Sequence, residues 1–345
     1  MKRKTLYFTA PREVELREEP LPELGADEVL VETVCSAISA GTEMLVYQGR
    51  FPRDLETDPL ISSLRGGFQY PLAYGYACVG EVRETGKDVN REWLNKAVFA
   101  FQPHTSHFTA KLETLFPVPE TLRPEAACFL PNMETAVNLV QDGAPIFGER
   151  VLVLGQGVIG LLTASLLSDF PLEILVTADC YELRRNSSPV TEPALSESKG
   201  HMSLDPYTPD FRKQALTLLH QGADLTFELS GRPETLNDAI ALTGFSGRIV
   251  IGSWYGEKRA EIDLGRTFHR SRIKLISSQV STLAPELSGR WNKPRRFNIS
   301  WKALERIKPE KWITHRFPLE DANQAYRLLD ETPQETIQVL FDYTS

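Results

Sequence analysis

Over the first third of the chain, apolar and polar positions alternate in short runs. Glu28–Val34, Val79–Arg83 and Ala97–Phe101 read as strands punctuated by Pro and Gly, so the stretch from Leu6 to about Val118 is predicted to be mainly β. Within it, Arg50–Gln69 carries two prolines and two glycines with no clean period and predicts a long surface excursion. From about Arg123 the rhythm changes. Val151–Leu154, Glu173–Ala178, Asp224–Glu228 and Arg248–Ile251 are compact apolar runs separated by helical stretches, the pattern of a parallel sheet covered by helices. Asn186–Asp210, rich in Ser, Pro, Thr and Glu, predicts an irregular connection. After Pro285 a basic stretch (Arg290, Lys293, Arg295, Arg296) precedes a predicted helix at Leu319–Asp330 and a strand at Thr336–Phe341, expected to pack back on the first region.

A length of 345 residues suits two domains, and 41% hydrophobic positions supply large cores. The formal net charge of −8 argues against a protein that wraps nucleic acid or lies on anionic lipid, and for one that handles a small molecule. Cys35, Cys78, Cys128 and Cys180 stand singly, so neither a disulfide framework nor a cysteine zinc site is expected. The charged residues from Arg12 to Glu19 leave no apolar core for a signal peptide, which predicts a cytoplasmic protein. Val151–Ser168 is uncharged and long enough to be weighed as a membrane span, but its glycines are spaced as a turn between a strand and a helix.

That turn, Gly155-Gln-Gly157-Val-Ile-Gly160, is the most informative segment. The first glycine permits the tight turn, the second lets backbone approach a pyrophosphate, and the third lets the helix pack closely on the sheet. Phosphates then meet free N–H groups at the helix N-terminus. The motif follows an apolar strand, opens an apolar helix and is followed by a second strand ending in Asp179, which together make it a dinucleotide fingerprint. Asp179 stands where a carboxylate accepts from the adenosine ribose and repels a 2′-phosphate, so NAD is the expected cofactor ahead of NADP. Two features leave alternatives open: Asp179 can instead open a turn, and Arg184 with Arg185 can receive a 2′-phosphate.

The order of the pieces resembles the medium-chain dehydrogenase/reductase superfamily over nearly the whole chain. The likeness is carried by Tyr70-Pro-Leu-Ala-Tyr-Gly75-Tyr-Ala-Cys-Val-Gly80, the Thr135-Ala136 step, the glycine turn and Phe317-Pro-Leu-Glu-Asp-Ala322. Residues 38–43, 130–136 and 268–280 are similar to the branch grouped with bacteriochlorophyllide dehydrogenase. The resemblance implies an α/β protein in which a GroES-like β-barrel catalytic domain (1–130 and 284–345) joins a doubly wound Rossmann domain (131–283). It also implies a homodimer through the strand near Arg272–Ser278. Zinc-dependent relatives carry a Cys in the segment matching Ser39–Thr42, a His-Glu pair after the glycine matching Gly75, and a third ligand before the cofactor domain. Here stand Ser39 and Ala40, then Tyr76 and Ala77, then Pro131, Asn132 and Glu134, so no metal site is expected.

Without zinc, hydrogen-bond donors must stabilise charge developing on a substrate oxygen. Tyr76 is the candidate donor, and Glu43, Glu134 and His104 are candidates for proton handling. Thr135, Ser230, Gly252 and Ser253 are expected to line the cofactor, with Trp254 and Tyr255 nearby. The reading is a zinc-independent NAD(H) oxidoreductase acting on an alcohol, carbonyl or activated double bond. The alternatives are an NADPH-dependent quinone or enone reductase, and a dinucleotide-binding sensor or structural protein without turnover.

Overall fold

The computed structural model describes residues 2–52, 54, 67, 69–189 and 202–343. The predicted excursion at 50–69 lies mostly outside these residues, and the predicted irregular connection at 186–210 lies partly outside them. The chain divides into two compact units, Met1–Pro131 with Leu304–Ser345, and Asn132–Ala303.

The first unit opens with β1 (Lys2–Ala10), β2 (Glu13–Pro20), β3 (Glu28–Ala37) and the short helix α1 (Glu43–Tyr47). It continues through β4 (Leu72–Ala73), β5 (Cys78–Thr85), β6 (Ala97–Ala100), β7 (His107–Lys111), β8 (Leu115–Pro117) and α2 (Pro124–Ala127). Helix α3 (Leu130–Gly143) leads into the second unit.

That unit alternates strand and helix: β9 (Arg150–Leu154), α4 (Val158–Leu167), β10 (Ile174–Ala178), α5 (Glu182–Asn186), β11 (Met202–Leu204) and α6 (Phe211–Leu218). Then follow β12 (Ala223–Glu228), α7 (Leu236–Leu242), β13 (Thr243–Ile251), β14 (Lys274–Ser277) and α8 (Lys293–Ile307). The chain closes, back in the first unit, with β15 (Ile313–Pro318), α9 (Ala322–Glu331) and β16 (Gln338–Asp342). The C-terminal helix thus starts three residues later than the alternation predicts, because Leu319–Asp321 forms a 3-10 turn first.

In the first unit, β16 pairs antiparallel with β3 and parallel with β15, so the chain end completes the seven-stranded sheet begun by the N-terminal strands. Leu6, Phe8, Ile38, Val46, Tyr326 and Phe341 fill one core, and Val29, Val31, Val82, Val98 and Phe108 a second. The second unit has six parallel strands in the order β11-β10-β9-β12-β13-β14. This is a doubly wound sheet whose direction of winding switches at β9. Alternate residues of β9 show why its sequence is an unbroken apolar run: Leu152 and Leu154 pack with Phe211 and Ile240, while Val151 and Val153 pack with Leu167 and Phe227. Each such side chain contributes about 1.5–3 kcal/mol on burial, which a strand wet on one face forgoes at every second position.

Candidate active site and cofactor edge

At the carboxyl end of β9 the three glycines do different work. Gly155 has φ +97°, a left-handed conformation open to glycine, and a Cβ there falls 2.6 Å from the Leu229 carbonyl. A Cβ on Gly160 falls 1.9 Å from the Gly155 oxygen, so the first turn of α4 closes on the strand only without a side chain. Gly157 is unlike both. Its φ of −65° suits any L-residue, and an added Cβ meets only Arg184 Nη1, at 3.9 Å. Among the described residues no close contact requires glycine at 157; its missing side chain leaves a gap at the N-terminus of α4, where N–H groups and the helix dipole favour an anion.

Asp179 follows β10 and is almost fully buried. Its Oδ2 accepts the N–H of Gln156 at 2.7 Å, and its Oδ1 the N–H of Tyr181 at 2.8 Å. The carboxylate therefore both opens the turn into α5 and is oriented by the glycine turn itself. Arg184 stacks over the Tyr181 ring at 4.8 Å, whereas Arg185 turns away, pairing with Asp205 at 3.2 Å and donating to the Asp179 carbonyl. Beyond β12, the Ser230 hydroxyl donates to Glu228 Oε1, and Ser253 Oγ accepts the N–H of Gly231 at 2.9 Å. Gly252 is held by packing, since a Cβ there falls 2.6 Å from Leu139 and Leu229. Thr135 lies on α3, partly buried.

In the first unit, Glu43 and His104 form one fully buried pair, Nε2 to Oε2 at 2.9 Å. Glu43 Oε2 also accepts from the Tyr326 hydroxyl at 2.5 Å, and Oε1 accepts the N–H of Ser39 at 2.8 Å. On the other face of the imidazole, Nδ1 meets Ser36 Oγ at 2.7 Å, which meets the Tyr343 hydroxyl at 2.8 Å. Both ring nitrogens of His104 and both carboxylate oxygens of Glu43 are thus engaged within one buried network. The network ends at Ser39, whose Oγ accepts the hydroxyl of the partly buried Tyr76. Burial pushes the Tyr76 phenol up to about 12, which suits it to donate a hydrogen bond rather than to ionise.

No protein-family model matches the chain. Among curated proteins it is similar to D-guloside 3-dehydrogenase of Escherichia coli, 22% identical over 358 residues, covering 97% of this chain and 99% of the relative. Among solved structures it superposes on 2R,3R-butanediol dehydrogenase of Bacillus subtilis with a TM-score of 0.78, at 18% identity over 99% of this chain and 100% of that one. It also superposes on a short chain alcohol dehydrogenase of Escherichia coli CFT073 complexed with NADH, with a TM-score of 0.76, at 18% identity over 99% of each chain. The chain has the fold of these dehydrogenases.

Ser39 and Tyr76 are hydrogen-bonded hydroxyls, and alanines stand beside them at 40 and 77. Glu134, a sequence candidate for proton transfer, is instead ion-paired, its Oε1 meeting Lys293 Nζ at 2.6 Å and Arg296 Nε at 2.9 Å. Among the described residues, no three His, Cys, Asp or Glu side chains come together to hold a metal ion.

Two groups went unnoticed in the sequence. Arg296, within the apparently surface-type basic stretch, is fully buried, and its guanidinium donates to Glu134, Asn138, Val280 O and Thr282 O. The signal is its place on the apolar stripe of α8 with Phe297, Ser300, Trp301 and Leu304. The second is Glu228, a carboxylate ending an apolar strand and wholly buried.

Proposed function

We propose that the protein is a zinc-independent oxidoreductase that moves a hydride between a nicotinamide dinucleotide, NAD(H) ahead of NADP(H), and an alcohol, carbonyl or activated double bond of a small organic substrate. The observation that carries this reading is Gly157, a glycine required by neither backbone nor packing, which opens a gap at the helix terminus where a diphosphate binds. The dehydrogenase relatives and the neighbour solved with NADH support the same chemistry. Gly155, Gly157 and Gly160 seat the diphosphate, Asp179 accepts from the adenosine ribose, and Thr135, Ser230, Gly252 and Ser253 shape the remaining edge. When bound, the nicotinamide supplies or takes the hydride. Tyr76, backed by Ser39 and the Glu43–His104 pair, takes the part of a polarising group at the substrate oxygen.

The likeness at 38–43, 130–136 and 268–280 to the bacteriochlorophyllide dehydrogenase branch, cytoplasmic residence and a homodimer through β14 belong to the same proposal. Among the described residues no helix is long and apolar enough to cross a membrane, and β14 pairs on one side only, with β13. A second reading, an NADPH-dependent quinone or enone reductase, is favoured by Arg184, whose guanidinium lies 3.9 Å from a Cβ placed at Gly157, and by the likeness to one structure solved with NADP and another named an NADPH:quinone reductase.

Fluorescence titration with NADH and NADPH, elemental analysis for zinc and a panel of alcohols, ketones, quinones and enones test the proposal. Tighter NADH binding, no stoichiometric zinc and turnover of an alcohol or ketone are expected. One zinc per chain, or tighter NADPH binding with quinone turnover alone, defeats it.

A further inference from the structure

Glu228, the last residue of β12, is wholly buried, and a buried carboxylate is costly unless its oxygens are satisfied. Oε1 accepts both the N–H of Ser230, at 2.9 Å, and the Ser230 hydroxyl, while Oε2 accepts the Tyr255 hydroxyl at 2.5 Å. Its main-chain oxygen accepts the N–H of Gly252 at 3.1 Å. One residue thus ties the loop after β12 to the loop after β13. The first of these loops also abuts the glycine turn, because a Cβ at Gly155 falls 2.7 Å from the Ser230 nitrogen, and Glu228 pairs in register with Leu154.

The position of this knot in the sheet gives it meaning. Asp179 marks the adenosine side, at the end of β10, and β12 and β13 lie on the other side of β9. A dinucleotide laid across the switch point at β9 therefore has its nicotinamide half over the two loops that Glu228 ties together. The hydroxyls of Ser230 and Ser253 are engaged by Glu228 and by the N–H of Gly231, so these serines set loop shape.

We propose that Glu228 is a positioning residue for the nicotinamide half of the cofactor, acting through Ser230 and Tyr255. This rests on the dinucleotide reading and adds to it a division of labour: the glycine turn and Asp179 hold the adenosine diphosphate, and Glu228 orders the surface met by the other half. Glutamine at 228 keeps the shape but replaces one acceptor oxygen by an amide donor, so that either Ser230 or Tyr255 loses its partner.

The test is titration of wild type, Glu228→Gln and Tyr255→Phe with NADH and with ADP, by quenching of tryptophan fluorescence, with thermal unfolding in parallel. Trp254, adjacent to Tyr255 in the chain and 37% exposed, is a local reporter. Wild type is expected to bind both ligands. Glu228→Gln is expected to bind NADH about tenfold more weakly, the size of one charged hydrogen bond, with ADP changed less than about twofold. Tyr255→Phe, which leaves the carboxylate in place, is expected to shift NADH in the same sense by less, and it carries the test if the glutamine variant does not fold. Equal losses of ADP and NADH, or unchanged NADH binding, overturn the proposal. Wild type that binds neither nucleotide overturns the dinucleotide reading instead.

Discussion

Asp179→Asn separates what this carboxylate does for the fold from what it does for the cofactor. In wild type, two N–H groups, from Gln156 and Tyr181, use one carboxylate oxygen each at 2.7 and 2.8 Å. Asparagine keeps one acceptor, so one of these amides loses a charge-assisted partner at a buried site, a change of about 1.5–3 kcal/mol in stability. The same substitution removes the negative charge that repels a 2′-phosphate and weakens the acceptor offered to the ribose. NADH affinity is expected to fall roughly tenfold, at about 1.4 kcal/mol per decade, while NADPH affinity holds or rises. A displaced glycine turn alone would weaken both nucleotides together, so the ratio of the two affinities is the quantity that decides. Parallel titrations by tryptophan quenching, with thermal unfolding as the control, measure it. A variant with reduced stability but an unchanged NADH-to-NADPH ratio would refute the assignment of Asp179 as the selectivity group.

Arg296→Met should destabilise the second unit by about 3–5 kcal/mol in thermal denaturation, because it removes a buried cation that satisfies Glu134, Asn138 and two carbonyls; a loss below about 1 kcal/mol would mean the cluster contributes little. Tyr76 has its ordinary value of 10.0 raised to about 12 by burial, so the folded protein keeps a proton that the unfolded chain has lost. Its contribution to stability is therefore fully present below pH 10 and lost as pH rises from about 10 to 12. The stability difference between wild type and Tyr76→Phe should decline across that window in alkaline denaturation, and a flat difference contradicts the buried phenol.

The parallel sheet was legible because a strand covered on both faces must be apolar at successive positions, as Val151–Leu154 is. The glycine turn was legible for a related reason: at Gly155 and Gly160 backbone lies within 3 Å of the missing Cβ, and few other residues are tolerated there. The polar interior was not. Arg296 and the Glu43–His104 pair are buried through partners distant in sequence, 162 residues apart for Arg296 and Glu134 and 61 for His104 and Glu43. No local period encodes such pairings. The sequence therefore marks Glu134 and His104 as candidates for proton handling without revealing the partners to which the fold hydrogen-bonds them.

Binding of NADH to Gly157→Val tests the central claim most directly. The φ of −65° at 157 is open to valine, and among the described residues a Cβ there meets only Arg184 Nη1, at 3.9 Å, so the unfolding temperature should stay close to wild type, whereas Gly160→Ala, with its Cβ 1.9 Å from a carbonyl oxygen, should be destabilised. In isothermal titration calorimetry wild type is expected to bind one NADH per chain and Gly157→Val none. A folded Gly157→Val that binds NADH as tightly as wild type would show that the gap at the head of α4 does not hold the diphosphate.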